Sequence, residues 1–408
     1  LHEEKFVMKI TAIETIRLDE FPNLLWVHVH TDEGLTGLGE IFYGVPSAEA
    51  HIHGFAAEVL LGQDPLRIDY HSKALTGYVG FTGSGAEIRG NSGIDIALWD
   101  IWGQATNQPI YQLLGGASRD AIRVYNTCAG YQYVRDQVRQ STDSFNLPGD
   151  KPEGPYEDLQ GFLHNADEVA LSLLEMGITG MKIWPFDYAA EASGGHYISP
   201  GELDKALEPF AKIRDAVGSK MDIMVEMHAF WDLPQAKKIA RAVEQFDPFW
   251  FEDPIKMSNL RSLKEFKDAT RIPTTASETI GMRGEFRELL ELQACDYVMY
   301  DLSWCGGLSE ARKIAAMAEA WHRPVAPHDC TGPVLLTASV HHSMNATNTL
   351  IQEMVRAFYY GWYQELVTEL PPVENGMIRP LDGPGLGTKL QPGVLKRPDC
   401  HIRRSALD

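Results

Sequence analysis

The sequence predicts an α/β protein in which a (β/α) barrel follows a smaller α+β module. Three observations lead to this prediction. The chain has 408 residues, which is enough for two or three domains. From about residue 123 onwards, short β-rich runs alternate with helical stretches, whereas the earlier residues place their strands first and their helices afterwards. Eight strands alternating with helices over about 230 residues favour a barrel over a doubly wound sheet.

The first 120 residues predict the α+β module. Residues 8–45 alternate apolar and polar side chains, which indicates strands joined by tight turns such as the one at residues 32–34. Residues 46–120 are mostly helical, with apolar residues at helical spacing from residue 94 and a stop at Gly115-Gly116. The Pro- and Gly-rich tail from residue 371 is expected to cross back over this module. We therefore expect a capping domain of residues 8–120 plus about 370–408, and a barrel of residues 121–369.

The barrel prediction depends on eight short runs. They cover residues 123–129, 180–184, 222–226, 249–252, 273–278, 297–301, 324–328 and 349–353. Helices are predicted at residues 166–177, 233–246, 259–269 and 308–322. Two connecting segments, 130–165 and 185–201, are long and follow barrel strands. We expect both to be loops at the catalytic face.

Composition and charge exclude several classes of protein. The net charge of −20 argues against nucleic acid or an anionic membrane as the main partner. Apolar residues at 44% and charged residues at 23% are typical of a globular chain. The five cysteines make no dense framework, which favours reduced thiols. No apolar run reaches the roughly 20 residues of a membrane span, and the first residues do not resemble a secretory signal. We expect a cytoplasmic protein.

Polar residues end the later predicted strands at regular spacing. The residues are Glu226, Glu252, Glu278, Asp301, His328 and Glu353, at separations of 26, 26, 23, 27 and 25 residues. Each separation matches one strand, one helix and their loops. Six polar side chains are therefore expected at the carboxyl-terminal mouth of the barrel, where barrel enzymes place their chemistry.

Three of these residues predict a metal site. Glu226, Glu252 and Glu278 come from successive strands, and three carboxylates close together in a region of low dielectric constant repel one another without a cation. Oxygen-only ligands suit Mg²⁺. The alternative is that each carboxylate caps the helix that follows its strand.

The histidines are candidates for proton transfer. Asp301 and His328 lie on neighbouring strands, so the carboxylate can orient the imidazole as a base; the alternative is a core histidine. His228 follows Glu226 by two residues, which in a strand places both side chains on the same face. We expect His228 to be a general acid, with a purely hydrogen-bonding histidine as the alternative.

Four further side chains are candidates for substrate contact. Lys182 could hold a substrate carboxylate or neutralise enolate charge, or else form a salt bridge to the metal glutamates. Trp184 shares a strand face with Lys182 and offers an apolar wall. Trp304 could line the pocket, although buried packing is an alternative for both tryptophans. Glu353 could bond the enolate or a hydroxyl, or cap a helix.

Taken together, these motifs resemble those of the mandelate racemase subgroup of the enolase superfamily. The segment IDIALWDIWGQATNQPIYQLLGG (residues 94–116) is similar to a signature of that group. The resemblance implies a modified TIM barrel, (β/α)7β, with an α+β capping domain, one Mg²⁺ per subunit and a homo-oligomer. It also implies that the glutamate triad holds the metal, that Asp301 and His328 form the base dyad, and that Glu353 is the electrophile. The Glu-Met-His sequence at residues 226–228 resembles the galactonate dehydratase-like branch, in which this histidine is the acid.

The sequence departs from the family pattern at two positions. Glu226 stands where the first metal ligand is commonly Asp. Lys182-Ile183-Trp184 replaces the Lys-x-Lys of the racemases, so the base for one face of the substrate is missing. Racemisation is therefore disfavoured, whereas one histidine base with one histidine acid suits the elimination of water.

The favoured function is a dehydratase that converts a small sugar acid into a 2-keto-3-deoxy acid through a metal-stabilised enediolate. A cycloisomerase of an anhydro-sugar acid or a sugar lactone, on the same scaffold, is one alternative. A non-catalytic barrel that binds sugar acids is another. We expect substrate specificity to come from residues 19–23, 43–53, 130–165 and 185–201. Their candidate hydroxyl-binding side chains are Tyr43, His51, Tyr156, Tyr188 and His196.

Overall fold

The N-terminal part forms a four-stranded antiparallel sheet. The structure is a computed structural model that describes residues 8–80, 85–133, 135, 142 and 154–407. Strands β1 (Ile10–Leu18), β2 (Leu24–Thr31) and β3 (Thr36–Phe42) form a meander, which confirms the strands predicted in residues 8–45. The last strand of the chain, β14 (Cys400–Ala406), pairs with β1, so the tail does return to this sheet.

Helices cover one face of this sheet. They are α1 (Val45–His51), a π-helical turn (Ile52–Ala56), α2 (Ala57–Leu60), α3 (Ile68–Ala74), α4 (Ala86–Thr106) and α5 (Ile110–Leu113). Helix α4 packs directly on β3 because β3 has glycines at the contact. A Cβ on Gly39 would lie 1.9 Å from the carbonyl oxygen of Gly93, and one on Gly37 would lie 2.0 Å from that of Ala97. Only glycine permits so close an approach between helix and sheet.

Eight parallel strands form a closed barrel. They are β4 (Ile122–Thr127), β5 (Gly180–Ile183), β6 (Asp222–Glu226), β7 (Trp250–Glu252), β8 (Thr274–Ala276), β9 (Tyr297–Asp301), β10 (Val325–His328) and β11 (Gln352–Met354). From β4 to β10, neighbours in sequence pair in the sheet. β11 pairs with β4, and a parallel bridge between Val325 of β10 and Thr349, just before β11, completes the ring. Each of the eight predicted runs overlaps one of these strands, and the (β/α)7β architecture is confirmed.

The remaining helices surround the barrel or lie at its ends. They are α6 (Asp158–His164), α7 (Ala166–Glu175), α8 (Asp187–Ser193), α9 (Pro200–Val217), α10 (Leu233–Val243), α11 (Leu260–Lys267), α12 (Met282–Glu291), α13 (Gly307–Ala320), α14 (Pro333–Asn345), α15 (Arg356–Tyr359) and α16 (Tyr363–Leu366). The described part of the chain contains no helix with both the length and the apolarity needed to cross a membrane.

The two predicted long loops are partly helical. The prediction of a structureless segment at residues 185–201 was wrong, because α8 lies within it. In the segment 130–165, residues 158–164 form α6, while residues 134, 136–141 and 143–153 lie outside the described residues. The tail also differs from expectation at its start. A hairpin of β12 (Val373–Glu374) and β13 (Met377–Ile378) pairs with barrel strand β4 before the chain returns to the N-terminal sheet.

Buried carboxylates attach the N-terminal part to the barrel. Glu40 on β3 accepts a hydrogen bond from the backbone N–H of Leu335, 3.0 Å away in the first turn of α14. Asp95 on α4 accepts one from the N–H of Ser309, 2.9 Å away in the first turn of α13. A carboxylate is favourable at a helix N-terminus, where N–H groups are unpaired. Helices α13 and α14 begin just after the carboxyl ends of β9 and β10, so these contacts hold the N-terminal part at the barrel mouth.

Candidate active site

The three glutamates predicted to bind metal come together at the barrel mouth. Glu226 and Glu252 are the last residues of β6 and β7 and lie directly opposite each other in the parallel register. Glu278 differs from its predicted place, because β8 ends at Ala276 and Glu278 lies two residues further on, in the loop. One carboxylate oxygen from each glutamate lies within 4.8 Å of the other two.

The buried negative charges of this triad are suited to binding a cation. Glu226 and Glu252 are fully buried, and Oε2 of Glu226 makes no hydrogen bond but lies 3.4 Å from Nζ of Lys182. Burial raises the pKa of Glu252 well above its ordinary value, and the neighbouring Glu226 carboxylate raises it further. Buried carboxylates that offer only oxygen donors, one of them an oxygen with no hydrogen bond, fit a hard divalent cation such as Mg²⁺.

Lys182 forms ion pairs with the glutamates at the base of the site. Its Nζ lies 2.5 Å from Glu252, 2.9 Å from Glu353 and 3.4 Å from Glu226. Of the roles considered for Lys182, these contacts match the salt bridge to the metal glutamates. The geometry leaves the ammonium buried among carboxylates at the end of β5.

Glu353 lies in the barrel mouth and not at a helix end. It is the middle residue of β11, because the strand ends at Met354, one residue later than the sequence predicted. One oxygen accepts a hydrogen bond from the Thr127 hydroxyl, and the other accepts one from the backbone N–H of Asp329 at 2.7 Å. Both carboxylate oxygens are therefore held by barrel residues.

Asp301 and His328 form a buried pair on adjacent strands. They are register partners at the ends of β9 and β10, with 2.7 Å between Nδ1 of His328 and Oδ2 of Asp301. The other Asp301 oxygen accepts two hydrogen bonds from Ser303, both 2.6 Å long. Nε2 of His328 lies 3.0 Å from Glu278, so the imidazole stands between Asp301 and the triad. Burial alone would lower the pKa of His328, but the carboxylates of Glu278, Glu353 and Asp301 raise it to about 10.

A second histidine–carboxylate pair lies on the β5–β6 side of the mouth. Nδ1 of His228 is 2.7 Å from Oδ2 of Asp187, the buried first residue of α8. Strand alternation does not place His228, because β6 ends at Glu226 and His228 has a left-handed backbone with φ of 49°. Burial would lower the pKa of His228, but Asp187 and Glu226 raise it to about 9. Asp187 was not predicted, because its segment was expected to be a loop, whereas it begins α8.

Both predicted tryptophans lie beside these histidines. The Trp304 ring stacks on His328 with centroids 5.4 Å apart, and its Nε1 donates to the carbonyl of Phe42 at 2.9 Å. The Trp184 ring meets His228 edge-on at 5.7 Å. Each tryptophan is nearly fully buried, so packing and pocket lining are combined in the same side chain.

One pocket is lined both by residues that the sequence predicted for the site and by several that it did not predict. Its lining is Phe42, Tyr43, Thr127, Tyr133, Lys182, Trp184, Glu226, His228, Glu278, Trp304, His328 and Cys330. Cys330 follows His328 by two residues, as His228 follows Glu226, so the same spacing could have identified it. Phe42 and Tyr43 reach the pocket from the N-terminal sheet.

Tyr43 is the one of the five candidate hydroxyl-binding side chains that lines this pocket. His51 bonds Asn91, and His196 bonds Asp232. Tyr156 packs against Tyr360, and Tyr188 lines a different cavity beside α8 and α9.

Comparison with known proteins places both parts of the chain in one family. The N-terminal domain of the mandelate racemase/muconate lactonizing enzyme family matches residues 9–115, and the enolase C-terminal domain-like family matches residues 165–394. Two relatives named D-galactonate dehydratase are similar. The one from Variovorax paradoxus is 32% identical, covering 94% of this chain and 92% of its own, and the one from Ralstonia nicotianae is 31% identical, covering 95% and 94%.

A solved structure gives the same result. It is a crystal structure from Agrobacterium tumefaciens, described as an enolase of the mandelate racemase subgroup with a succinimide residue, sodium and phosphate. It is 54% identical, covers 98% of this chain and 99% of its own, and superposes with a TM-score of 0.86.

Proposed function

The chain belongs to the mandelate racemase subgroup of the enolase superfamily, and from this premise we propose that it is a hydro-lyase that dehydrates a sugar acid. The observation that carries the proposal is the presence of two separate histidine–carboxylate pairs in one pocket with the glutamate triad. One pair can serve as base and the other as acid. The similarity to two D-galactonate dehydratases supports a dehydration reaction.

The glutamate triad would hold one Mg²⁺. Glu226, Glu252 and Glu278 supply the oxygen donors that this ion prefers. When bound, the ion supplies positive charge that stabilises the enediolate formed after proton loss next to a carboxylate. Enolase-superfamily sites combine such ions with a Lys or His base.

His328 is positioned to remove the proton from the carbon next to the substrate carboxylate, and it would be neutral for this role once a cation on the triad offsets the charge of Glu278, the carboxylate that most raises its pKa. Asp301 holds Nδ1 at 2.7 Å, which fixes the tautomer and leaves Nε2 on the side of the triad. A carboxylate in this position also stabilises the imidazolium that forms when the proton is taken. Lys182 offsets part of the negative charge of the glutamates around it, and Glu353, an acceptor when ionised, would accept a hydrogen bond from a substrate hydroxyl.

His228 is positioned to protonate the leaving 3-hydroxyl. Its Nδ1 bonds Asp187, so Nε2 is the ring nitrogen available to the pocket. The hydroxyl leaves with the proton of His228 as water, and the resulting enol becomes a 2-keto-3-deoxy acid. Trp184 stands beside His228 and has no group that could act as a second base. A single base is sufficient for elimination but not for two-base racemisation.

The test is a screen of purified sugar acids with Mg²⁺, read out as 2-keto acid formation and product mass. We expect a product lighter than its substrate by one water. A product of unchanged mass would favour the cycloisomerase alternative, and binding without turnover across the screen would favour a sugar-acid-binding barrel.

A variant tests the base assignment separately. In deuterated water, His328→Asn should abolish deuterium incorporation at the carbon next to the carboxylate. His322→Asn is the matched control, because this histidine lies on the exposed surface after α13. Exchange at the wild-type rate in His328→Asn would refute the assignment of His328 as base.

A further inference from the structure

The N-terminal sheet carries a second cluster of metal-ligating side chains, separate from the glutamate triad. Glu14 on β1 lies directly opposite His28 on β2 in the antiparallel register. His30 is two residues further along β2 and therefore projects from the same face. One ligand atom from each of the three side chains lies within 4.8 Å of the other two, and the two imidazole centroids are 5.8 Å apart.

Neighbouring strands orient two of these side chains. Nδ1 of His30 is 3.0 Å from the Thr36 hydroxyl on β3, while Nε2 of His30 is 3.0 Å from Oε2 of Glu14. Arg404 on β14 pairs with the other Glu14 oxygen, Oε1. A metal-ligating histidine is characteristically fixed by a hydrogen bond to its second nitrogen, and a hydroxyl can accept that bond. Nε2 of His30 and Oε2 of Glu14 face each other, so an ion bound between them would replace their mutual contact.

His28 completes the ligand set. Among the described residues, its ring nitrogens make no hydrogen bond, so rotation of the side chain toward the other two breaks no such contact. His28 stands opposite Glu14 across the two strands and on the same strand face as His30, so its ring reaches the cluster from β2.

We propose that Glu14, His28 and His30 bind a divalent transition-metal ion of the zinc class. Two imidazoles and one carboxylate suit Zn²⁺, Co²⁺ or Ni²⁺, whereas Mg²⁺ prefers oxygen ligands. Three protein ligands leave a fourth position for water. The ion cross-links β1 to β2, and its chemistry separates this site from the oxygen-only triad.

The probe is Co²⁺, added to the full-length protein in the presence of excess Mg²⁺. Tetrahedral, four-coordinate Co²⁺ absorbs visible light strongly, whereas six-coordinate Co²⁺, the geometry expected in an oxygen-only site that takes Mg²⁺, absorbs weakly. We expect a strong band that saturates at one Co²⁺ per chain and is displaced by Zn²⁺. In His28→Ala and His30→Ala, Co²⁺ should bind at least tenfold more weakly, while the control His401→Ala on β14 should behave as wild type.

Several results would overturn the proposal. These are the absence of a strong band in the wild type, an unchanged band in His28→Ala, or a band that is lost in Glu252→Gln, which would place the ion in the triad. Thermal unfolding without added Co²⁺ or Zn²⁺ checks that each variant is folded, and His28→Gln replaces His28→Ala if the latter is not. Mg²⁺-dependent turnover should be unchanged in His28→Ala, so the outcome is independent of the proposed dehydratase activity.

Discussion

Replacing Asp187 by Asn should separate the two proton transfers of the proposed reaction. Asp187 bonds His228 at 2.7 Å, and their side chains are 4% and 20% exposed. An amide has nearly the same shape as the carboxylate but no charge, so it cannot stabilise the imidazolium form of His228. A hydrogen bond to a charged group is worth about 1.5–3 kcal/mol. At about 1.36 kcal/mol per factor of ten, dehydration should slow by roughly 10- to 150-fold.

The assay compares two rates on one substrate, taken from the sugar-acid screen. Formation of 2-keto acid reports dehydration, and deuterium incorporation into unreacted substrate reports proton removal by His328. We expect Asp187→Asn to lose the first while keeping the second. Asp232→Asn is the matched control, because Asp232 pairs with His196 in an exposed contact. A parallel fall of both rates would show that Asp187 has a structural role only, and unchanged dehydration would remove His228 as the acid.

Three further predictions test the metal, the attachment of the N-terminal part and the packing of the sheet. Removal of divalent ions with a chelator should abolish both turnover and binding of the sugar acid, measured by calorimetry, and Mg²⁺ should restore both. Burial raises the pKa of Glu40 from 4.5 to about 7. The protonated side chain of Glu40 therefore stabilises the fold below pH 4.5, and this stabilisation is lost as the pH rises through 7. Between pH 4.5 and pH 7, the unfolding free energy of the wild type should fall by up to about 3 kcal/mol more than that of Glu40→Gln. Chemical denaturation at each pH measures both values. Gly39→Ala should lower the unfolding free energy by about 3 kcal/mol or more, because the new Cβ would lie 1.9 Å from the carbonyl oxygen of Gly93. Gly201→Ala is the control: a Cβ there would meet nothing within 4 Å, so the same measurement should show no change.

The strands and most of the site could be predicted because a parallel barrel has one repeating rule. Each strand brings its carboxyl end to the same mouth of the barrel. The regular spacing of Glu226, Glu252, Asp301 and His328 in the sequence was therefore enough to predict that they lie close together. Glu278 was predicted as the last residue of its strand, but β8 is only three residues long and ends two residues before Glu278. The spacing fixes which unit of the barrel carries a residue, but not where the strand stops.

Helices without an amphipathic pattern were harder to predict. Helix α14 (Pro333–Asn345) is buried on almost every side, so its sequence has no polar face to give it a helical period. Helix α9 (Pro200–Val217) had a local signal, since Ser199 and Glu202 form a capping box, but the preceding Gly-rich residues favoured a loop. Asp187 was not predicted as a site residue because its segment was also expected to be a loop. Its pairing with His228 is a contact across 41 residues, which no spacing rule within one barrel unit contains.

The charge of the barrel mouth explains why we expect the metal to be required for binding as well as for turnover. Four glutamates meet there, and Lys182 is already within 3.4 Å of three of them. The positive charge of a lysine paired with three carboxylates is largely neutralised, so Lys182 attracts an anion only weakly. The chain as a whole also carries a net charge of −20. Without a divalent ion, an anionic sugar acid entering this buried site would meet repulsion that low dielectric strengthens. A divalent cation on the triad would neutralise two of these negative charges where the proposed mechanism places the substrate carboxylate, so the ion proposed to stabilise the enediolate should also be needed for the substrate to bind.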